Sequence, residues 1–189
     1  MSSPASLGGD ERLRLFLGLR LPGATLDAVA AWQQTHLDRM RVVARAHLHV
    51  TLAFLGHRPA GELPGILAAL RGAADAVEGE IRLPVLRYRE TRSVAMLVCG
   101  DEGDRAGALA DDLHARLEAL GVYRREARPW LPHLTVGRFK ERAGLAREVT
   151  NIRSVHVVRS ALYRSLLAPG GATYDALKTV ALGGVEDGS

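Results

Sequence analysis

Two segments of the sequence share one pattern, in which a histidine, an apolar residue, a threonine and a second apolar residue follow one another. The first segment is "HLHVTLAFLG" at 47–56, and the second is "RPWLPHLTVGRF" at 128–139. Successive side chains of a β-strand point to opposite faces of the sheet. Strict alternation therefore puts His49 and Thr51 on one face. It puts the apolar residues at the even positions, up to and including Phe54, on the other face. His133 and Thr135 are expected to share a face in the same way.

The remaining sequence alternates between strand and helix patterns, and the order of these patterns runs twice, once on each side of about residue 90. Period-two alternation predicts strands, and apolar residues at three- and four-residue spacing predict helices. Strands are predicted at 13–21, 40–44, 47–56, 81–88, 93–100, 154–166 and 173–182, and helices at 23–37, 62–77, 104–121 and 141–149. Gly56 and Pro59 are predicted to end the strand of the first motif. The sequence predicts an α+β fold that is bilobal and internally duplicated, with two mainly antiparallel sheets flanking a central cleft and helices on the outer faces.

Length and composition predict one soluble domain. The chain has 189 residues, with 47% hydrophobic and 24% charged residues. We expect flexible tails at 1–11 and 184–189 and a single bilobal domain at 12–183. No apolar run approaches the roughly 18 residues of a membrane span, so no membrane partner is expected. Cys99 is the only cysteine, which is typical of a cytoplasmic protein, and the net charge of +4 permits a nucleic-acid partner.

A pair of histidines facing one site can perform acid–base chemistry without a metal. Histidine titrates near neutral pH, so one ring can accept a proton while the other donates one. Such a pair suits transfer at a phosphodiester, where a nucleophile loses a proton and a leaving oxygen gains one. Threonine hydroxyls on the same faces can donate to non-bridging phosphate oxygens. The other histidines outside the motifs are expected to be structural: His36, His57, His114 and His156.

The paired motifs on a duplicated α+β chain resemble the two-histidine phosphoesterase superfamily. Within it the sequence is similar to the RNA 2′,3′-cyclic phosphodiesterases, also called bacterial 2′-5′ RNA ligases. The segments "RLFLGLRLP" near the start and "SLLAPGGATYDAL" near the end are similar in order and spacing, so the resemblance covers about residues 12–183. It implies hydrolysis of a 2′,3′-cyclic phosphate, on RNA or on a nucleotide, to a 2′-phosphate. In some members it also implies reversible 2′-5′ joining of RNA ends.

The resemblance implies no cofactor, no metal and no ATP, and we expect a monomer. The sequence itself also indicates that ATP is not used. Neither Lys140 nor Lys178 lies in the K-x-D-G segment of nucleotide-dependent ligases, and no Walker-type phosphate loop is present. By the same resemblance the catalytic residues are His49, as acid at the leaving 3′ oxygen, and His133, as base for water.

The resemblance assigns substrate phosphate binding to Thr51, Thr135 and Arg138. Arg138 conflicts with strict alternation, which puts it on the face opposite His133. We therefore predict a bulge or a strand end at 137–138 that turns this arginine toward the cleft. The closing motif departs from the family pattern, since Arg164 precedes Ser165 where the family often has an acidic residue.

Two other interpretations of the histidines stay open from the sequence. His47 and His49 share a strand face, and with His133 they could hold a catalytic zinc ion; otherwise His47 is expected at the rim of the cleft. The chain could instead be a non-catalytic RNA-binding module, although aromatic residues make up only 5% of it and stacking surfaces are correspondingly few.

Overall fold

The computed structural model describes residues 11–38, 40–140, 144, 147–149, 152–168 and 171–184. Its strands and helices are, in chain order, β1 (Arg12–Arg20), α1 (Gly23–His36), β2 (Arg41–Val42), β3 (His49–Pro59), α2 (Leu63–Asp75), β4 (Ile81–Glu90), β5 (Val94–Cys99), α3 (Arg105–Ala119), β6 (His133–Arg138), β7 (Ser154–Val157), β8 (Arg159–Ala168) and β9 (Gly171–Ala181). The predicted helices at 23–37, 62–77 and 104–121 are confirmed with slightly different ends. The predicted helix at 141–149 lies mostly outside the described residues, as do the predicted tails.

The strands form one sheet, in the order β7-β4-β5-β6-β3-β1-β8-β9, with β2 added beside β6. Neighbouring strands of this sheet are antiparallel. The predicted mixed helix and antiparallel-strand class is confirmed, but the prediction of two separate sheets is wrong. The two halves join because β3 and β6, the strands of the two motifs, pair directly at Val50 and Leu134. The bilobal, duplicated arrangement stays a prediction.

One face of the sheet is covered by the helices, and this is where the core lies. Every second residue of β1 is a leucine, and Leu13, Leu15, Leu17 and Leu19 are at most 1% exposed. They belong to one hydrophobic core with apolar residues of the helices, among them Val29, Ile66, Leu70, Leu109 and Leu113. Fully burying each such side chain stabilises the fold by about 1.5–3 kcal/mol. The helices therefore leave the opposite face of the central strands to polar and aromatic residues.

The predicted strand at 154–166 is in fact two strands at different places in the sheet. β7 pairs with β4, whereas β8 pairs with β1 and β9. The chain changes partners at Val158, which is half exposed and whose carbonyl accepts a hydrogen bond from the Leu182 amide. In the sequence the change is marked only by the adjacent Val157 and Val158, which interrupt the alternation. Alternation reports burial and not the identity of the neighbouring strand, so it could not predict the two different partners.

None of the helices in the described part of the chain is long and apolar enough to cross a membrane.

Candidate active site

The two motif strands lie side by side with their histidine faces on the same side of the sheet. Val50 and Leu134 form an antiparallel pair, and both are fully buried on the core side. Antiparallel pairing at this point sets His49 across from Thr135, and Thr51 across from His133. Side chains in directly opposite positions have Cβ atoms about 5 Å apart, and diagonal neighbours about 7–8 Å. The register therefore brings all four polar side chains of the motifs around one point.

Both motif histidines are held in the same way by the backbone. Nδ1 of His49 lies 2.7 Å from the carbonyl oxygen of His47, and Nδ1 of His133 lies 2.8 Å from the carbonyl oxygen of Leu131. A carbonyl only accepts hydrogen bonds, so each Nδ1 carries the hydrogen. Each Nε2 is then the nitrogen that can exchange a proton with a ligand.

The surroundings of His49 favour its neutral form. Burial, and to a smaller extent the nearby charges of His133, His47 and Arg138, outweigh the raising effect of the bond to the His47 carbonyl and lower the pKa of His49 to about 4. A neutral imidazole with hydrogen on Nδ1 has a free lone pair on Nε2. These effects on the pKa indicate that the imidazoles of His133 and His47 and the guanidinium of Arg138 lie close to the His49 ring.

The strand β6 is irregular where the sequence predicts it. Pairing with β5 skips Val136, since Met96 pairs with Thr135 and Ala95 with Gly137, and the strand ends at Arg138. The extra residue is a β-bulge, which restores Arg138 to the face of Thr135. Arg138 is exposed, and its charge acts on His49. The predicted break at 137–138 and the orientation of the arginine are confirmed.

A second bulge changes the face of a residue in β3. Pairing with β1 skips Leu52, because Gly18 pairs with Thr51 and Leu17 with Ala53. Phe54 therefore lies on the histidine face, where it is 49% exposed, while Ala53 is buried. The prediction that Phe54 belongs to the apolar face is wrong, because strict alternation fails across a bulge.

The strand β3 also does not end at Gly56. It continues to Pro59, and Gly56 has a φ of +68° opposite Leu15, where the pairing with β1 shifts again. Glycine readily adopts this left-handed conformation, so the residue marks a further bulge and not the end of the strand.

The carbonyls of the two extra residues are bound by side chains from helices. His114 of α3 donates from Nε2 to the Leu52 carbonyl over 2.8 Å. Gln33 of α1 donates to the Val136 carbonyl over 2.7 Å and to the Val43 carbonyl over 2.9 Å. Both side chains are 3% exposed. Buried carbonyls need partners, and each of these two helices supplies one directly behind a motif threonine; the Val136 carbonyl also accepts from the Val43 amide.

Aromatic residues from three other strands surround His49, and the motif patterns give no sign of them. The ring of Phe16 lies 4.7 Å from that of His49, and the ring of Tyr174 lies 5.4 Å away. Tyr163 contacts both His49 and Phe16. Gly18 makes room for this packing, since a Cβ there would lie 3.3 Å from His49 Cδ2 and 3.0 Å from the Val50 oxygen. Phe16 and Gly18 lie in the first of the two terminal segments that carry the family resemblance, and Tyr174 lies in the second, whereas Tyr163 lies just before the second segment.

His47 precedes β3, so the prediction that His47 and His49 share a strand face is wrong, because the strand begins only at His49; the place of His47 at the rim of a cleft stays a prediction. His47 ends a short 3₁₀ turn, and its ring is 5.0 Å from that of Tyr174. The described residues contain no group of three or more His, Cys, Asp or Glu side chains arranged to hold a metal ion. The zinc site considered from the sequence, with His47, His49 and His133 as ligands, is therefore not formed by the described residues.

Comparison with known proteins identifies relatives over nearly the whole chain. Residues 21–177 match the family model of the 2′-5′ RNA ligase superfamily. A curated relative from Escherichia coli, named RNA 2′,3′-cyclic phosphodiesterase, is 29% identical over 184 residues, covering 91% of this chain and 98% of the relative.

Solved structures agree with the fold over the same length. The protein TT0787 of Thermus thermophilus superposes with a TM-score of 0.78 and 31% identity, covering 92% of this chain and 100% of that one. Escherichia coli LigT complexed with 3′-AMP superposes with a TM-score of 0.77 and 26% identity, covering 91% of this chain and 99% of LigT.

Proposed function

The chain belongs to the 2′-5′ RNA ligase superfamily, and we propose that it hydrolyses RNA 2′,3′-cyclic phosphate ends to 2′-phosphates by acid–base catalysis with two histidines. The observation that carries the proposal is the antiparallel pair of Val50 and Leu134. This pair brings His49, Thr51, His133 and Thr135 to one face, with both Nε2 atoms available. The curated relative named as an RNA 2′,3′-cyclic phosphodiesterase and the LigT structure with 3′-AMP support the substrate class.

The proposed reaction exchanges one phosphorus–oxygen bond for another. A water molecule gives a proton to Nε2 of His133 and its oxygen bonds to phosphorus. The bond from phosphorus to the 3′ oxygen breaks, and Nε2 of His49 gives that oxygen a proton. The product is a 2′-phosphate with a free 3′-hydroxyl. Because imidazoles make both proton transfers, we propose that the reaction needs no metal or other cofactor.

The pKa of His49 sets a condition on its role as the acid. Without a ligand the pKa is about 4, so the ring is neutral at pH 7. A bound cyclic phosphate brings a negative charge beside the ring, and an opposite charge favours the protonated form. In this proposal the substrate itself raises the pKa of His49 and so charges the acid that protonates its leaving oxygen.

Three further residues are proposed to bind the phosphate. Thr51 and Thr135 lie across from the two histidines by register, where their hydroxyls can donate to the non-bridging oxygens. Arg138 acts electrostatically on His49, so its guanidinium is close enough to stabilise the charge that grows on those oxygens. Negative charge accumulates there as water adds, so these contacts strengthen toward the transition state.

The same site could join RNA ends. If the 5′-hydroxyl of a second RNA takes the place of water, its oxygen bonds to phosphorus and the bond to the 3′ oxygen breaks. The product is a 2′-5′ phosphodiester. One phosphoester bond replaces another, so we propose that joining is reversible and independent of ATP.

We further propose that residues 12–183 form one domain that arose by internal duplication into two lobes. Each motif strand has a histidine whose Nδ1 donates to the carbonyl two residues earlier. Each also has a bulge directly after its threonine, at Leu52 and at Val136. In both cases a buried helix side chain donates to the carbonyl of the extra residue, which supports a repeated unit.

Product analysis tests the proposed function. The purified protein is incubated with EDTA and either RNA ending in a 2′,3′-cyclic phosphate or a 2′,3′-cyclic nucleotide. We expect both substrates to yield only the 2′-phosphate. Loss of activity in EDTA that zinc restores would contradict the metal-free mechanism. Binding of RNA without turnover of either substrate would support an RNA-binding module instead.

The roles of acid and base are tested with leaving groups. An aryl phosphodiester with a nitrophenolate leaving group needs no protonation of that group. We expect a His49→Ala variant to lose much less activity on this substrate than on a cyclic nucleotide, whereas His133→Ala loses activity on both. The reverse pattern would exchange the two roles.

A further inference from the structure

A basic pocket lies on the same sheet, at the end of β1 that is away from the motif histidines. Its lining includes Arg12, Arg14, His57, Arg164 and Ser165, and we call it the distal pocket. Arg14 pairs with His57 across β1 and β3, and Ser165 of β8 is 5% exposed. The closing motif, in which Arg164 stands where the family often has an acidic residue, therefore forms part of a second polar site.

Arg14 is fixed within the distal pocket by two contacts. Its Nη1 donates to the Ser165 hydroxyl over 2.9 Å, and its Cζ lies 4.6 Å from the centre of the Phe54 ring. Neither contact neutralises its charge. Arg12 donates to the His57 carbonyl over 2.9 Å, and within the described residues neither Arg12 nor Arg14 forms an ion pair. Arg164 differs, because it pairs with Glu11.

A continuous path of side chains joins the distal pocket to the motif histidines. The Phe16 ring lies 4.7 Å from that of His49 and 6.3 Å from that of Phe54, which is half exposed and contacts Arg14. Arg14 is two residues along β1 from Phe16, on the same face, and two residues of a strand span about 7 Å. The distal pocket therefore begins next to the aromatic residues that surround His49, the proposed catalytic acid.

We propose that the distal pocket binds a backbone phosphate of the RNA on the 5′ side of the cyclic-phosphate end. The inference rests on the proposed function: a cyclic phosphate at the 3′ end leaves the chain only its 5′ direction to continue. Arginine suits this ligand because its fork of donors matches phosphate oxygens. A 2′,3′-cyclic mononucleotide has no such phosphate, so the pocket selects oligonucleotides as the preferred substrates.

The test compares kcat/KM for three substrates: a 2′,3′-cyclic mononucleotide, a trinucleotide ending in the cyclic phosphate, and the same trinucleotide with uncharged methylphosphonate linkages. For the unmodified protein we expect the charged trinucleotide to exceed the mononucleotide by roughly tenfold or more, which is the usual effect of a charge-assisted contact. The methylphosphonate trinucleotide should behave like the mononucleotide. The preference should weaken with salt, with a log–log slope of about −0.7 for each phosphate bound.

The variants Arg14→Gln and Arg12→Gln remove the charge while keeping a polar side chain. Each should reduce the ratio of trinucleotide to mononucleotide kcat/KM, and the double variant should bring it near one. Arg71→Gln removes an equal charge from α2, outside the sheet face, and should keep the unmodified ratio. A purely structural role for Arg14 would reduce both rates together and leave the ratio unchanged, which would overturn the proposal.

An equal rate on charged and methylphosphonate trinucleotides would also overturn the proposal. If none of the three substrates is hydrolysed, the result contradicts the proposed function itself. A mononucleotide that is hydrolysed as fast as the trinucleotide refutes the distal pocket alone.

Discussion

His114 donates from Nε2 to the backbone carbonyl of Leu52 over 2.8 Å, and Leu52 is the extra residue that follows the first histidine–threonine pair. The bulge changes the direction of β3 immediately beyond Thr51, so a histidine more than sixty positions along the chain helps to fix the first motif. The sequence places His114 among the structural histidines, and this is confirmed. Its structural role is nevertheless tied to the geometry of the proposed active site.

Replacing His114 tests whether the bulge positions the site. A His114→Leu variant removes the side-chain donor of the buried Leu52 carbonyl, which should destabilise the fold by about 1–3 kcal/mol and should lower kcat by a larger factor than it changes KM. His114→Gln keeps a donor and should restore most of both. Urea unfolding and steady-state kinetics measure the two effects. Unchanged stability and kcat in the leucine variant would mean that the bulge does not depend on this bond.

Gln33 offers a matched test in the second motif. Its amide donates to the Val136 and Val43 carbonyls, so a Gln33→Glu variant would turn a carboxyl group toward two acceptors. The protonated acid can still donate, and burial raises the pKa of the introduced glutamate. A raised folded-state pKa gives stability that is present at low pH and lost as pH rises. Relative to the unmodified protein, the variant should be less destabilised at pH 5 than at pH 8 in urea unfolding. A pH-independent difference would contradict this account.

The pKa of His49 predicts how its own contribution to stability depends on pH. The folded-state pKa is about 4, below the value of about 6.5 for an unfolded chain. The unfolded state therefore binds more protons between these values, and stability falls as pH decreases through this window. The loss should approach about 1.4 kcal/mol per pH unit. Urea unfolding of the unmodified protein and of His49→Gln should show a weaker pH dependence in the variant. Equal slopes would mean that His49 is not buried in its neutral form.

Sequence patterns predict the parts of this fold that depend on local periodicity. The three long helices, the alternation of leucines in β1 and the shared face of His49 and Thr51 all follow from apolar spacing. The break near Arg138 could also be predicted, because two independent inferences about that residue conflicted: its place in the family motif and strict alternation from His133.

Features that depend on which strands pair could not be predicted in the same way. The bulge at Leu52 moves Phe54 to the other face, and it involves the pairing with β1 and a bond from His114, neither of which local periodicity reports. The division of 154–166 between two places in the sheet is marked only by the adjacent Val157 and Val158, and these do not indicate which strands each half pairs with. In the sequence Gln33 is one polar residue of a predicted helix, and no local pattern indicates that its amide contacts the Val136 carbonyl.

The central claim is that His49 and His133 act on the same phosphate, and turnover by single variants tests it most directly. RNA ending in a 2′,3′-cyclic phosphate is incubated with the unmodified protein, His49→Gln, His133→Gln and the double variant. His156→Gln, an exposed histidine on β7 paired with Glu80, serves as the control. Each single variant should lose about 10²–10⁴ in rate, the double variant should lose less than the product of the two losses, and the control should keep the full rate. A single variant of either motif histidine that forms the 2′-phosphate at the unmodified rate would contradict the account.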